Sequence, residues 1–205
     1  MLELWRRLRT GRPVVVVSGL PRSGTSMAMK MLAAAGLELV TDDVRTADED
    51  NPKGYFEDER VKDLAGATDR RWVATARGKV IKVVSSLLLY LPPQYRYRVV
   101  FRRRDLDEVL ASPAKMLERR GEGAATGDEE LRDSYVQHLE KVAFQLRYRP
   151  NFEALYVDYR DVLENPEVQA QRIADFLGGG LDVARMAEAV DPNLYRNRRE
   201  DLVSP

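Results

Sequence analysis

The sequence predicts an α/β fold of three layers, in which a central parallel sheet of about five strands has helices on both faces. Two observations lead to this prediction. Apolar segments without polar alternation, such as the four valines from Val14 to Val17, are typical of strands that are buried on both faces, as a parallel sheet requires. These segments alternate with helical ones, and that order favours right-handed crossovers with a functional site at the carboxyl ends of the strands.

The order of the predicted elements follows the chain. The predicted strands are Val14 to Val17, Leu37 to Val40, Lys79 to Val84, Arg98 to Arg103 and Phe152 to Asp158. The predicted helices are Met27 to Ala35, Glu57 to Ala67, a helix that Asp105 opens and Pro113 ends, a long helix from Leu131 to Leu146, and one that begins near Pro166. The small residues from Gly121 to Gly127 are expected to form a mobile lid between two of these helices.

The loop between the first strand and the first helix has the glycine spacing of a phosphate-binding loop. Gly19 and Gly24 bound it, and glycine lets backbone N–H groups turn towards an anion at a helix N-terminus. In nucleoside triphosphatases a lysine follows the second glycine, whereas here that position is Thr25 and the cation is Arg22, inside the loop. The sequence therefore indicates a phosphate-binding loop of another type.

Two motifs, taken in order, resemble those of a known family. Pro21-Arg22-Ser23-Gly24-Thr25-Ser26 resembles the 5′-phosphosulfate loop of the sulfotransferases that use 3′-phosphoadenosine 5′-phosphosulfate (PAPS). The family also has an arginine at the end of a later strand and a serine eight residues on, as Arg104 and Ser112 are. A helix between them returns Ser112 to nearly the same face after two turns, so both side chains can meet one phosphate. The segments 51–57 and 155–178 also resemble the family, and the whole resemblance spans about residues 13 to 199.

The resemblance implies a P-loop-type fold, a donor and a reaction. It implies sulfuryl transfer from PAPS to a hydroxyl acceptor, an alcohol or a phenol, without a metal ion. The residues expected to hold the 5′-phosphosulfate are Arg22, Ser23, Gly24, Thr25 and Ser26. Those expected to hold the 3′-phosphate are Arg104, Ser112, Arg196 and Arg198, the last two in a late basic segment. Arg22 is expected to stabilise charge on the leaving phosphate, because an arginine almost never gives up its proton.

The acceptor hydroxyl needs a general base, and the resemblance implies a carboxylate. Glu57, which ends the segment 51–57, is the first candidate, and Asp42 and Asp43 are the next. The helix dipole alone favours an acidic residue at a helix start, so a purely structural role for Glu57 stays open. His138, the only histidine, matches no family motif and is expected to be structural or solvent-facing.

Composition narrows the function classes. The chain has 205 residues and no cysteine, which excludes disulfides and cysteine-based metal sites. Its formal net charge of zero argues against a general nucleic-acid or membrane-surface binder, and the arginines near Arg104 are expected to lie on the solvated surface: Arg96, Arg98, Arg102 and Arg103. No apolar run approaches the roughly 18 residues of a membrane span and no secretory signal is recognisable, so a cytoplasmic location is expected. The expected organisation is an N-terminal arm (1–12), one domain (13–199) and a C-terminal tail (200–205).

Several alternatives stay open at this point. A non-catalytic PAPS-binding protein, or one that binds the product adenosine 3′,5′-bisphosphate (PAP), would keep the same phosphate contacts without a working base. A small P-loop nucleotide kinase is opposed by the absence of lysine at position 25. The chain is short for the family, which is compatible with a small acceptor, a macromolecular acceptor at an open cleft, or a homodimer in which a second subunit completes the pocket.

Overall fold

The computed structural model describes residues 11–42, 56–110 and 128–191. Within them a parallel sheet has the strand order β2-β1-β3-β4. The strands are β1 (Val14–Gly19), β2 (Val80–Lys82), β3 (Tyr97–Arg103) and β4 (Phe152–Asp158). Beside β2, Leu39 forms a parallel bridge to Val80, and the Val40 N–H donates to the Val80 carbonyl at 2.8 Å. With this edge segment, the parallel sheet of about five strands is confirmed.

The helices cover both faces of the sheet. They are α1 (Thr25–Ala34), α2 (Glu59–Lys62), α3 (Asp128–Tyr148), α4 (Tyr159–Glu164), α5 (Pro166–Leu177) and α6 (Val183–Glu188), and residues 106–110 are also helical. Three 3₁₀ segments are Asp63–Ala65, Arg71–Ala76 and Ser85–Tyr90. As predicted, Pro166 stands in the first turn of α5, where its missing N–H removes no helical hydrogen bond.

Alternate residues of the sheet pack into two separate hydrophobic cores, one on each face. On one face Val17 and Val100 pack with Met29 of α1 and Ile173 of α5. On the other face Val16, Val99 and Phe101 pack with the α3 residues Val142 and Leu146. Each fully buried side chain of this size contributes about 1.5–3 kcal/mol through apolar burial, so both faces stabilise the sheet. The predicted three-layer arrangement is confirmed.

The position of β1 determines where the functional loop lies. All six residues of β1 are buried, and the strand pairs with β2 on one side and β3 on the other. Its carboxyl end, from which the glycine-bounded loop starts, therefore lies between the carboxyl ends of β2 and β3. Side chains at those strand ends can face the same loop.

The predicted helix from Glu57 to Ala67 is wrong in extent. Asp58 has an extended backbone, with φ of −130°, and its carboxylate accepts the Arg60 N–H at 3.0 Å, so α2 begins only at Glu59. After four residues the helix gives way to the 3₁₀ segment Asp63–Ala65. Glu57 therefore precedes the helix, and the capping residue is Asp58.

Some of the sequence predictions lie outside the described residues. These are the predictions for the N-terminal arm, Asp43, most of segment 51–57, Ser112, Pro113, the expected lid from Gly121 to Gly127, Arg196, Arg198 and the C-terminal tail.

Candidate functional site

The two glycines of the loop are required by close backbone approaches. A Cβ at Gly19 would lie 2.6 Å from the backbone oxygen of Arg102, on β3. Gly24 precedes the first residue of α1 with a left-handed φ of 87°, and a Cβ there would lie 2.4 Å from a ring carbon of Tyr159. No other residue fits these positions without displacing the backbone of β3 or the Tyr159 ring.

Between the glycines, Arg22 and Ser23 define the shape of the loop. Arg22 has a left-handed φ of 64°, a conformation that costs a non-glycine residue about 1–2 kcal/mol. Ser23 is buried, and its hydroxyl donates to the carbonyl of Leu20 at 2.7 Å. The Ser23 side chain thus closes the loop that holds Arg22 in this conformation.

The loop leads into α1, whose N-terminus has no side-chain cap among the described residues. Among the described residues no side chain caps α1, and the first turn of the helix contains no acidic residue. Thr25 is buried at the start of this turn and Ser26 is partly exposed. The first N–H groups and the positive end of the helix dipole are therefore available to an anion.

Arg104 joins the carboxyl end of β3 to this loop. Its Nη1 donates to the carbonyl of Arg22 at 3.2 Å, and its Nε donates to Glu108 Oε2 at 2.8 Å. The guanidinium carbon lies 4.5 Å from the ring centroid of Tyr159, within range of a cation–π interaction. The two segments that sequence motifs single out as phosphate-binding are thus in direct contact.

Lys82 is a site residue that the sequence prediction missed. It is the last residue of β2, and its Nζ lies 3.3 Å from Ser26 Oγ and 3.2 Å from Glu57 Oε1. The Lys82 side chain is 9% exposed and that of Glu57 is 23% exposed. The signal in the sequence was a lysine at the end of a buried strand beside the loop. Lysine is seldom buried unless it is paired, so a lysine at this position indicates a site residue.

The structure separates the two described base candidates. Glu57 lies beside the loop through Lys82, as the preceding distances show. Asp42 instead accepts the Glu59 N–H on its Oδ2 at 2.5 Å, and its own N–H donates to the Glu57 carbonyl at 3.2 Å. Asp42 therefore stabilises the start of α2 and the position of Glu57, and its carboxylate is directed to the helix.

The predicted surface location is wrong for Arg102. Its side chain is 1% exposed, and among the described residues none of its three guanidinium nitrogens has a hydrogen-bond partner. Burial lowers the pKa of Arg102 to about 10, which leaves the group charged at neutral pH. The adjacent Arg103 points to the opposite face of the strand, where it is 54% exposed and donates to Asp158 at 2.7 Å.

The other arginines of β3 and its approach have partners. Arg96 and Arg98 lie at the amino-terminal end of the strand and donate to Glu153 at 2.6 and 3.4 Å, and Arg98 also donates to the Leu177 carbonyl at 2.6 Å. Their side chains are only 16% and 14% exposed, so the expected solvated surface is wrong for them as well. Within this set, and among the described residues, Arg102 is the one whose guanidinium nitrogens have no hydrogen-bond partner.

His138 has a structural contact away from the loop. Its Nε2 lies 2.8 Å from the hydroxyl of Ser85, which connects α3 with the 3₁₀ segment Ser85–Tyr90. Burial lowers the pKa of His138, with a smaller contribution from nearby Lys141. The contact agrees with the structural role expected from the sequence.

A cavity of about 570 Å³ adjoins the loop between β3, β4 and α3. Leu20 and Ser23 form its loop side, and Arg102 to Arg104 lie at one end. Its apolar walls include Phe101, Leu139, Leu146 and Tyr156. A largely apolar cleft with a few convergent polar groups is typical of a small-molecule site.

In the part of the chain that the structure describes, no cluster of potential ligands could hold a metal ion and no helix could cross a membrane.

Comparisons with known proteins give one family match over part of the chain and similar folds among solved structures. A family model described as "Sulfotransferase domain" matches residues 124–202. The fold is similar to that of a solved sulfotransferase domain from the curacin biosynthetic pathway, with a TM-score of 0.53 and 15% identity, covering 91% of this chain and 87% of that chain. No curated protein matches the sequence.

Two further solved structures are less similar. Retinol dehydratase in a complex with retinol and PAP has a TM-score of 0.48 and 21% identity, over 91% of this chain and 67% of that chain. A sugar kinase from Janibacter sp. HTCC2649 has a TM-score of 0.40 and 18% identity, over 86% of this chain and 98% of that chain. Neither similarity carries an argument about this chain. The match over residues 124–202, which does not include the two phosphate motifs, and the shared fold agree with the resemblance to sulfotransferases.

Proposed function

We propose that this chain is a sulfotransferase that moves a sulfuryl group from PAPS to a hydroxyl acceptor. The observation that supports this most is the contact between Arg104 and the Arg22 carbonyl, because it joins the segment expected to hold a 3′-phosphate to the loop expected to hold a 5′-phosphosulfate. A ligand with phosphate groups at both ends of one ribose matches this pair of adjoining anion-binding segments.

The chemistry of the loop fits a doubly charged group. The uncapped start of α1 offers backbone donors, and the close approach at Gly24 leaves no side chain in their way. Arg22, Ser23, Gly24, Thr25 and Ser26 are the residues proposed to hold the 5′-phosphosulfate. Arg104, with Ser112, Arg196 and Arg198 from the sequence prediction, is proposed to hold the 3′-phosphate.

The residues around Lys82 are suited to activate an acceptor. When bound, PAPS supplies an activated sulfuryl group on a phosphate that is a good leaving group. The Glu57 carboxylate is placed to take the proton of an acceptor hydroxyl, and Lys82, between Glu57 and Ser26, provides positive charge beside the loop. Arg22 adds a second, permanent cation. Glu57 is therefore the proposed base, in preference to Asp42, whose carboxylate holds α2.

An assay of transfer tests this proposal. The purified chain, given PAPS and a panel of phenols and alcohols, should release PAP at a rate that depends on the acceptor. A matched reaction with the Arg22→Ala variant should be slower by about a hundredfold or more, since that variant lacks the loop cation. Tight binding of PAP with no turnover on any acceptor would instead favour a non-catalytic binding protein.

A further inference from the structure

The buried Arg102 guanidinium has no hydrogen-bond partner among the residues that the structure describes. Among the described residues no acceptor reaches its Nε, Nη1 or Nη2, although the residue is 1% exposed. A buried charge without a partner is among the most unfavourable features of a folded protein. Other cations of the site do have hydrogen-bond partners: Arg104 donates to Glu108, and Lys82 donates to Glu57.

The Arg102 guanidinium lies against the start of α1. Its Nη2 would be 3.4 Å from a Cβ at Gly24, the residue that precedes the first turn of the helix. The same hypothetical Cβ would touch the Tyr159 ring, so the guanidinium lies next to the loop and close to the aromatic side chain that also stacks with Arg104. Two independent features thus converge at Gly24: an uncapped helix N-terminus, and a buried cation that lies 6.0 Å from the centroid of the Tyr159 ring and has no hydrogen bond within the described part of the chain.

Nearby carboxylates do not neutralise this cation by contact. Asp158 and Asp161 act on Arg102 only through space, and neither accepts a hydrogen bond from it; Oδ2 of Asp158 accepts from Arg103 at 2.7 Å. Among the described residues, no carboxylate forms a hydrogen bond to Arg102. An anion at the first N–H groups of α1 would lie in the field of both the helix dipole and Arg102.

We propose that Arg102 is a further binding residue of the phosphate loop, whose buried charge is the counter-ion of the 5′-phosphate group of the ligand. The identity of that ligand rests on the proposed function, whereas the role of Arg102 towards an anion does not. The arrangement couples binding to stability, because the anion removes the cost of an uncompensated charge that the unliganded fold carries.

The test measures binding and melting temperature in two variants of the full chain. Arg102→Met keeps the length and apolar stem of the side chain but removes the charge. Arg98→Met is the matched control, since Arg98 lies on the same strand and the same face but has partners in Glu153 and the Leu177 carbonyl. The probes are PAP, adenosine 5′-phosphate, adenosine 3′-phosphate and inorganic phosphate, each titrated by calorimetry.

Opposite effects are expected in the two variants. Arg102→Met should lower the affinity for PAP, adenosine 5′-phosphate and inorganic phosphate by about tenfold or more, whereas the affinity for adenosine 3′-phosphate should change little. The unliganded Arg102→Met variant should melt at least about 3 °C higher than wild type. Arg98→Met should melt lower and bind all four probes as wild type does.

Other outcomes overturn the inference. Unchanged affinity for PAP and inorganic phosphate in Arg102→Met would show that Arg102 does not face the anion. If both Arg102→Met and Arg102→Lys failed to fold, Arg102 would be a structural residue and the proposal would be wrong. If wild type bound inorganic phosphate through Arg102 but not PAP, the inference would stand and the proposed sulfotransferase function would fail.

Discussion

Among the single residues that the structure describes, Arg104 is the one expected to bind the 3′-phosphate. Arg104→Ala should weaken PAP binding by about 1.5–3 kcal/mol, the range of a hydrogen bond to a charged group, and adenosine 5′-phosphate far less. Calorimetry with both ligands measures the difference. Equal losses for the two ligands would mean that Arg104 does not distinguish the 3′-phosphate.

The ion pair of Arg104 requires a control for stability. Glu108 is 4% exposed in its side chain, so Arg104→Ala removes an ion-pair contact of a buried carboxylate. The double variant Arg104→Ala/Glu108→Gln also removes the charge of that carboxylate. It should recover melting temperature but not the affinity for PAP, which separates a binding role from a structural one.

Glu57 is the residue on which catalysis is expected to depend. Glu57→Gln should keep PAP affinity and lower turnover by about a hundredfold or more, because the amide cannot accept the acceptor's proton. Asp42→Asn is the comparison: it should keep both turnover and most of the stability at the start of α2, because an amide oxygen can still accept the Glu59 N–H. Loss of turnover in Asp42→Asn with full activity in Glu57→Gln would move the base to Asp42.

At the level of secondary-structure elements, the junction of the loop and α1 should be more sensitive to a Gly→Ala substitution than its backbone φ angle alone predicts. Gly24 and Gly36 have the same φ of 87°, but a Cβ meets Tyr159 at Gly24 and nothing within 4 Å at Gly36. Gly36→Ala should therefore cost only about 1–2 kcal/mol of strain, whereas Gly24→Ala should cost more and abolish PAP binding. Urea unfolding and calorimetry measure both. Equal costs would show that the Tyr159 ring does not restrict the loop.

The contact between α3 and the 3₁₀ segment Ser85–Tyr90 should make stability depend on pH. Burial lowers the pKa of His138 below its ordinary value of 6.5, so the unfolded chain binds a proton more readily than the folded one. The contribution of His138 is present above pH 6.5 and is lost as the pH falls below it. His138→Gln should flatten the melting temperature across this interval, and an unchanged pH profile would contradict the assignment.

Elements with strong local patterns were predictable, and those set by tertiary contacts were not. β1 and its loop follow from four consecutive valines and two glycines, because the pattern that buries a strand and the residues that permit a tight loop are both local. The extent of α2 depends on the cap at Asp58 and on the long-range bond from Glu59 to Asp42, which a sequence pattern does not contain.

The candidate site was likewise predictable where a local sequence motif marks a residue, and not where tertiary contacts decide. Arg104 had a motif, whereas Lys82 was a lone lysine at a strand end. Arg102 looked like part of a solvated run of arginines, but successive residues of β3 point to opposite faces of the sheet, so the run divides between solvent and interior. Which of its members is buried depends on the helices that cover each face.

At the level of the whole molecule, ligand preference distinguishes the proposed sulfotransferase function from that of a nucleotide kinase. Kinases of this type use a loop lysine and a bound Mg²⁺ to neutralise the β- and γ-phosphates, whereas this chain has Thr25 after the second glycine. PAP has no γ-phosphate and presents a 3′-phosphate to Arg104. Stabilisation of the folded state grows with ligand affinity, so the melting temperature reports this preference directly.

The most direct test is therefore a melting experiment on the wild-type chain with PAP alone and with ATP and Mg²⁺ at equal concentration. We expect PAP to raise the melting temperature without Mg²⁺, and to raise it more than ATP with Mg²⁺ does. A larger and strictly Mg²⁺-dependent shift with ATP would contradict the account and favour a nucleotide kinase. No shift with either ligand would contradict nucleotide binding at this loop altogether.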